Sequence, residues 1–400
     1  MHALFALALI AQAPFPMDTV RPPGGPEVLW HRLAGPVVAL RLSVPLHDAL
    51  PGAAEILQEL ARPAATREAD RLGAAVELRT AGDEAILLVT GPTSAFDALV
   101  GILRGAVGEQ DLSIGALRTA RARAEDRLLA RLERPEPRLR AILDARLAGT
   151  RPAGPGVDRL GPEHLRAAAA RLHHPDRLRV IFVGDVPPQI LRSAFAGWRR
   201  PPVPATTPPI ATAPPLPSAE AHHAWAALAY PLDVHPAVLA VAAELVARRV
   251  RAAGLLRGTA EARIGPGSQA LVILGGAPPD DPAVAAVARI TAFPAAGTRQ
   301  DGEASPIAHF LRRLLAEAAT LAGPAAVADA AAAVRRTLLL EARTAPGRAE
   351  VLGRWSGPRG ARRASVHNVL DGLDGVTAAE VRDALLGALE SAPVLAEVWP

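Results

Sequence analysis

The sequence predicts an α+β protein made of two homologous α/β-sandwich halves, each an antiparallel-rich sheet with helices on one side. The order of patterns in the first half is repeated in the second, and both halves end alike. Between them, residues 201–217 contain eight prolines in seventeen positions, a density that excludes a helix or a central strand and predicts an extended linker. We therefore predict one domain over 14–200 and a second over 218–400.

Each half opens with an apolar strand, a proline, a polar turn and an apolar helix. In the first half the strand covers 37–46 and the helix covers 52–62. In the second half the strand covers 224–229 and the helix covers 237–250. The shared order and punctuation indicate an internal duplication, the alternative being two unrelated α+β domains.

The middle and the end of each half also correspond. Two short strands follow the first helix, mostly helical sequence comes next, and a helix leading into a final strand closes the half. In the second half Thr377 and Glu380 form a capping-box pattern at the start of that helix. The predicted later strands are 75–80, 85–89 and 178–183 in the first half, and 259–264, 269–274 and 394–398 in the second.

The composition is that of a globular protein with sizeable cores. Half of the 400 residues are hydrophobic and 21% are charged, which suits two or three packed domains. All 44 basic residues are arginines, the net charge is only +4, and aromatic residues make up 3% of the chain. Because the arginine clusters lack interleaved aromatic side chains, we expect no nucleic-acid partner.

The first residues resemble a secretory signal peptide. Residues 3–11 are apolar, and Ala11-Gln12-Ala13 has the small residues of a cleavage site. We predict a signal peptide over 1–13 and export to the periplasm or the extracellular space, the alternative being an N-terminal strand or a disordered leader. No later run reaches the roughly 18 apolar residues of a membrane span. The chain has no cysteine, which excludes disulfides and thiolate ligands.

The helix at 52–62 carries the most informative pattern. It reads Gly-Ala-Ala-Glu-Ile-Leu-Gln-Glu-Leu, with Glu55, Gln58 and Glu59 on it. Its context resembles the inverted-zinc-motif peptidases, the family of insulin-degrading enzyme, pitrilysin and the mitochondrial processing peptidase. In that family the helix reads His-x-x-Glu-His, in which two histidines bind zinc and the glutamate polarises a water molecule. Glu55, Gln58 and Glu59 stand at those three positions.

The substitutions remove both requirements of the chemistry. Two glutamates offer hard oxygen ligands in place of imidazoles, and the amide of Gln58 has no basicity with which to accept a proton. By itself the segment favours an ordinary amphipathic helix whose acidic residues face water, and the rest of the chain supports the resemblance. We expect no zinc and no other cofactor in this chain.

The resemblance extends to most of the chain. His174-Pro175-Asp176-Arg177, a buried strand and Gly184-Asp185 resemble the family segment that ends the first half. The family's third zinc ligand, a glutamate on a later helix, is placed by this resemblance at Glu125, with Glu133 and Glu136 as alternatives. The family's substrate-holding arginine and tyrosine have no full match, because the single tyrosine, Tyr230, lies in the wrong strand.

The resemblance implies a catalytically inactive subunit that pairs with a zinc-bearing paralogue, as a heterodimer, around a peptide-degrading chamber; a homodimer is the other arrangement. An unfolded peptide would then add to the sheet edge formed by Val76, Glu77, Leu78, Arg79, Thr80 and Ala81. Two other functions stay open. One is a purely structural or scaffolding subunit, and the other is a metal-dependent hydrolase with a carboxylate site of Glu55, Glu59 and Glu125.

Overall fold

The structure is a computed structural model of the chain. It describes residues 15–46, 50, 52–81, 84–147, 156–198, 221–265, 268–278, 280–287, 304–355 and 366–398. The predicted signal peptide and the proline-rich linker lie outside these residues.

Ten strands and thirteen α-helices form the described part of the chain. The strands are β1 (Asp18–Val20), β2 (Glu27–His31), β3 (Val37–Pro45), β4 (Ala75–Ala81), β5 (Glu84–Pro92), β6 (Arg179–Val183), β7 (Ala224–Pro231), β8 (Leu256–Gly265), β9 (Ser268–Ala277) and β10 (Val394–Val398). The helices are α1 (Ala53–Arg71), α2 (Phe96–Val107), α3 (Ile114–Leu132), α4 (Pro135–Leu147), α5 (Pro162–Leu172), α6 (Pro188–Ala194), α7 (Pro236–Ala252), α8 (Pro282–Val287), α9 (Pro306–Leu321), α10 (Pro324–Glu341), α11 (Ala345–Trp355), α12 (Val366–Gly372) and α13 (Ala378–Glu390).

The first of two compact units is built on a six-stranded sheet. The unit takes in the described residues up to Leu128, those within 153–215, and those within 340–367. Its strands lie in the order β1-β2-β6-β3-β5-β4. Only β2 and β6 run parallel, and every other neighbouring pair is antiparallel. β4 is therefore an edge strand of this sheet.

One face of this sheet packs against α1 and α2. Along β3 the side chains of Val38, Leu40, Leu42 and Val44 alternate with those of the opposite face and belong to one hydrophobic cluster with both helices. Phe182 of β6 lies in the same cluster. Packing in this shared core positions α1 over β3 and β4.

The opposite face of the sheet carries a buried arginine beneath α11. The guanidinium of Arg41 donates to Glu84 Oε2 at 2.9 Å and lies 3.5 Å from Glu350 Oε2 of α11. A Cβ on Gly353 would stand 2.4 Å from the Arg41 Cζ. α11 therefore docks closely because a glycine leaves room for this guanidinium.

The second unit is built on a four-stranded antiparallel sheet in the order β10-β7-β9-β8. It takes in the described residues within 129–152, 216–339 and 368–400. On one sheet face Trp225, Ala227 and Ala229 of β7 form a cluster with Leu139 and Leu143 of α4. The helices α7, α9 and α13 pack together in the same unit.

Three ion pairs also join α4 to β8, and the charge of the side chain that α4 contributes alternates in sign along the helix. Arg257 Nη1 lies 3.8 Å from Glu136 Oε2. Further along, Arg140 pairs with Glu261 and Asp144 with Arg263. Because the three α4 positions are four residues apart, they fall on one helix face, and the alternation of sign favours a single register of α4 on this sheet.

The α+β class is confirmed, and the predicted strands begin and end within three residues of those observed. The structure differs in three respects. β1 and β2 are additional strands. α1 continues through Pro63 to Arg71, well beyond the predicted 62. Residues 129–152 belong to the second unit and residues 340–367 to the first, so each unit includes a helix from the other half of the sequence.

Candidate functional site

The N-terminus of α1 is set by a glycine. Gly52 has φ of 82°, in the left-handed region that favours glycine. A Cβ at this position would stand 2.8 Å from Cγ1 of Val157. The turn before α1 therefore requires glycine both for its backbone conformation and for its packing.

The side chain of Glu59 lies buried between two arginines. Only 4% of Glu59 is exposed. Its Oε1 accepts a hydrogen bond from Arg62 Nε at 3.1 Å and another from Arg127 Nη1 of α3. Its Oε2 is buried without a hydrogen-bond partner among the described residues. Two guanidinium groups therefore balance the charge of this carboxylate, where a metal ion would otherwise be needed to do so.

The neighbouring polar side chains of α1 donate to the edge strand. Gln58 Nε2 donates to the carbonyl oxygen of Arg79 at 3.0 Å. Arg62 Nη2 donates to the carbonyl oxygen of Leu78 at 2.9 Å. The Gln58 side chain thus acts as a hydrogen-bond donor, a role that an ionised glutamate at this position could not fill.

The other predicted ligand positions form no metal-binding group with Glu59 in the described residues. Glu55 is half-buried in the first turn of α1, and Glu125 is half-buried on α3. Within the described residues the contact from α3 to Glu59 comes from Arg127, two residues beyond Glu125. Glu133 is exposed at the end of α3. Glu136 lies in the second unit, where it pairs with Arg140 at 3.4 Å.

The sequence carried a weak signal for Arg127. On α3 the resemblance to the family points to carboxylates, because zinc ligands are expected there. An arginine partner for Glu59 is recognisable only once Glu59 is known to be buried, because a buried carboxylate requires a cation. The burial of Glu59 follows from tertiary packing and cannot be read from the spacing of Glu55, Gln58 and Glu59.

The residues of this cluster do not fit a zinc ion. Zinc in hydrolytic sites takes imidazole and carboxylate ligands and leaves one position for water. Here Gln58 directs an N–H to a backbone carbonyl, and Glu59 Oε1 is taken by two guanidinium groups. No group of three or more histidine, aspartate or glutamate side chains suited to a metal was found in the described part of the chain.

The predicted peptide-binding strand is the edge strand β4. Glu77 and Ala81 are exposed, Val76, Arg79 and Thr80 are half-buried, and Leu78 is buried under α1. On the other face, Arg79 Nη2 lies 2.8 Å from Glu350 Oε2 of α11. β4 pairs only with β5 in the described sheet, so one of its sides is without a strand partner.

A small cavity lies on the inner side of α1. It encloses about 30 Å³ and is lined mainly by apolar side chains, together with Gln58 and His173. This volume holds one or two water molecules, which excludes it as a peptide site. Burial lowers the pKa of His173 from 6.5 to about 4, against the effect of a hydrogen bond to the backbone of Val107.

The arginines at the start of the second half are engaged with acidic groups. Arg249 Nη2 lies 2.5 Å from Glu317 Oε2, and Arg248 Nε lies 2.9 Å from Glu244 Oε1. Tyr230 is fully buried in β7, and burial raises its pKa to about 12. These contacts stabilise the second unit, and Tyr230 is out of reach of solvent.

Comparison with known proteins identifies the fold. No protein-family model and no curated protein matches the sequence. Among solved structures, an M16-like peptidase from Alicyclobacillus acidocaldarius is 14% identical, with a TM-score of 0.69 over 97% of this chain and 99% of that one. The chain has the M16 peptidase fold. The expectation drawn from the degenerate zinc motif is confirmed at the level of the fold.

Two further M16-fold structures are informative. A peptidase M16 inactive domain from Pseudomonas fluorescens is 13% identical, with a TM-score of 0.66 over 96% of this chain and 98% of that one. The periplasmic protease PqqL from Escherichia coli is 13% identical, with a TM-score of 0.62 over 96% of this chain and 46% of the PqqL chain. The M16 fold thus occurs both in proteases and in a domain described as inactive.

The described helices were also compared with the requirements of a membrane span. No single one of them has the length and hydropathy to cross a bilayer. α9 and α10 meet those requirements only when taken together, and they are bent by 113° against each other.

Proposed function

We propose that this chain is a catalytically inactive M16-fold subunit that pairs with a zinc-bearing paralogue and contributes a peptide-binding wall to a shared chamber. The observation that carries the proposal is the ion pairing of Glu59 with Arg62 and Arg127. A carboxylate held in this way is not available as a metal ligand, and the Gln58 amide cannot serve as a general base. Chemistry would therefore reside in the partner chain.

The role of the chain would be to position substrate. In the described sheet one side of β4 has no strand partner, and an extended peptide can add there by main-chain hydrogen bonds. Holding a flexible peptide in an extended conformation lowers the entropic cost of its later cleavage. The Pseudomonas structure described as an inactive domain supports an M16 fold without catalysis.

We further propose that the chain is exported and acts in the periplasm or outside the cell. The support is the signal-like sequence of residues 1–13 together with the periplasmic location in the description of PqqL. Mass spectrometry of the N-terminus of protein recovered from the periplasmic fraction tests this. An uncleaved N-terminus in cytoplasmic protein would contradict it.

The central experiment measures hydrolysis of quenched fluorescent peptides by three samples. These are the purified chain, a zinc-bearing paralogue with an intact His-x-x-Glu-His motif, and the mixture of the two. We expect no turnover by the chain alone, and chelator-sensitive turnover by the mixture that exceeds that of the paralogue. The amount of bound metal in the purified chain is measured in parallel.

The alternative functions give different results. A scaffolding subunit would bind the paralogue without changing turnover and would bind no peptide. A hydrolase with a carboxylate metal site would show stoichiometric metal and turnover by the chain alone. Either result would refute the proposal.

A further inference from the structure

We propose that Gln58 and Arg62 form a latch over β4 that an added peptide strand has to displace. The inference rests on the proposed function and adds a means of regulating the same edge. The latch is defined as the two hydrogen bonds from Gln58 Nε2 to the Arg79 carbonyl and from Arg62 Nη2 to the Leu78 carbonyl.

The two carbonyls belong to consecutive residues of the strand. In an antiparallel sheet, successive residues of a strand direct their N–H and C=O groups alternately to the two sides. One of the carbonyls of Leu78 and Arg79 therefore faces β5, and the other faces the side of β4 that has no strand partner. Side chains of α1 donate to both carbonyls. One of these side chains therefore already occupies an acceptor that an added peptide strand would use.

The chemistry of position 58 is what permits the latch. The amide of Gln58 donates an N–H, whereas the glutamate that the zinc motif places there would be an ionised acceptor and would repel a carbonyl oxygen. The substitution that removes the general base thus also supplies a donor to the edge strand. The absence of a general base and the presence of a donor to β4 therefore arise from the same residue.

Arg62 is held in place but remains accessible. Its Nε is anchored on Glu59 Oε1 at 3.1 Å, and that oxygen is shared with Arg127. The Arg62 side chain is 23% exposed, so its guanidinium can turn toward solvent when a peptide N–H replaces it on the strand. Glu59 would keep Arg127 as a partner after this exchange.

The test uses the full-length chain and a short unstructured peptide labelled with fluorescein. Gln58→Met removes one donor with little change in size, Arg62→Leu removes the other, and the double variant removes both. Arg71→Leu is the matched control, since Arg71 lies on the same helix, pairs with Glu68 at 2.5 Å and is 65% exposed. Because the chain lacks cysteine, Ala81→Cys labelled with a fluorophore reports whether the peptide binds at β4.

We expect the double variant to bind the peptide about three-fold more tightly than the wild type, since a bound peptide no longer has to replace the hydrogen bond on the open side of β4. The single variant that removes the donor to the carbonyl on that side should bind as tightly as the double variant, and the other single variant and Arg71→Leu should bind as the wild type does. Thermal unfolding checks that each variant is folded, and Arg62→Met replaces Arg62→Leu if the latter does not fold.

Two results would overturn the latch, and they differ in what else they refute. If neither single variant nor the double variant binds the peptide more tightly than the wild type does, the latch is refuted while peptide binding stands. If neither the wild type nor the double variant binds any peptide at β4, both the latch and the proposed peptide-binding role are refuted.

Discussion

Glu59 illustrates how a buried carboxylate is accommodated in a fold without a metal ion. A buried charge without a partner costs several kcal/mol, so its neighbours have to supply a cation. Arg62 comes from the next turn of the same helix, and Arg127 comes from α3. The resulting pair also joins α1 to α3.

This arrangement predicts which substitution restores metal binding. In a variant with Glu55→His, Gln58→Glu and Glu59→His, Arg127 would still place a cation beside the site. Adding Arg127→Glu should tighten zinc binding by at least about ten-fold, because a carboxylate replaces a repelling charge. Competition with a chromophoric zinc chelator measures the affinity.

The control for this variant replaces a neighbouring residue of α3. Asp126→Asn on the triple-variant background alters one charge on an exposed position and should leave zinc affinity nearly unchanged. Equal zinc affinity with and without Arg127→Glu would show that the charge at Arg127 does not oppose metal binding at this site.

His173 predicts a pH dependence of stability. In the folded chain burial lowers its pKa to about 4 from 6.5, so the unfolded chain binds a proton at a higher pH than the folded chain does. The contribution of neutral His173 to the free energy of unfolding is complete above about pH 6.5. This free energy falls by up to about 3 kcal/mol as the pH is lowered toward 4. Urea unfolding between pH 7 and 4 measures this loss.

His173→Leu should reduce the slope of unfolding free energy against pH, while His174→Gln, at the adjacent half-buried position, should keep it. A residual slope is expected in both variants because burial also lowers the pKa of His31. An unchanged slope in His173→Leu would contradict the assignment.

At the scale of elements, close contacts decide which helices dock on which sheet. α11 approaches β3 over Gly353, directly above the Arg41 guanidinium. Gly353→Ala should destabilise the chain by about 1–3 kcal/mol, because Arg41 is buried and held by Glu84 and cannot move aside. Chemical denaturation measures the change.

The matched control is Gly101→Ala in the middle of α2, where an added Cβ meets nothing within 4 Å. This variant should be more stable than the wild type by about 0.5–1 kcal/mol, since alanine favours the helix over glycine. If both variants shifted stability in the same direction, the contact between Gly353 and Arg41 would not be the cause.

Sequence patterns were informative for elements whose signal is local. The apolar run over 37–46 predicts β3, and the Thr377 and Glu380 capping box predicted from spacing is observed, with Thr377 N donating to Glu380 Oε2 at 2.9 Å. The end of α1 was not predictable, because Pro63 normally ends a helix. Here burial of Ala61, Ala65 and Ala69 in the core keeps α1 continuous beyond the proline.

At the scale of the whole molecule, the sequence predicts the internal duplication. It does not predict that each unit includes a helix from the other half of the sequence. The duplicated order of strands and helices follows from local patterns. The assignment of α4 to the second unit and of α11 to the first depends on distant partners, such as Glu261 for Arg140 and Arg41 for Glu350. No local pattern in either helix identifies those partners.

The exchange predicts that neither half of the sequence folds well alone. A fragment ending in the 201–217 region lacks α11 and would expose the sheet face that carries Arg41. The complementary fragment lacks α4 and would expose Trp225. We expect each fragment to be insoluble when expressed alone and the two to co-purify as a folded complex when expressed together.

Circular dichroism and size-exclusion chromatography measure this outcome. The control is a pair of fragments divided within 288–303. This division also leaves α4 and α11 on different fragments. It keeps strands β7, β8 and β9 of the second sheet on the same fragment as α4. Independent folding of the fragment that ends in the 201–217 region would contradict the interdependence of the halves.

The pairing of Glu59 with Arg127 also restricts the evolutionary routes open to this chain. Reversion of Glu59 to histidine would break both of its ion pairs and leave Arg127 facing an imidazole, and so would cost stability before any activity was gained. Lineages carrying this pair are therefore expected to diversify as inactive proteins and not to return to catalysis by stepwise change.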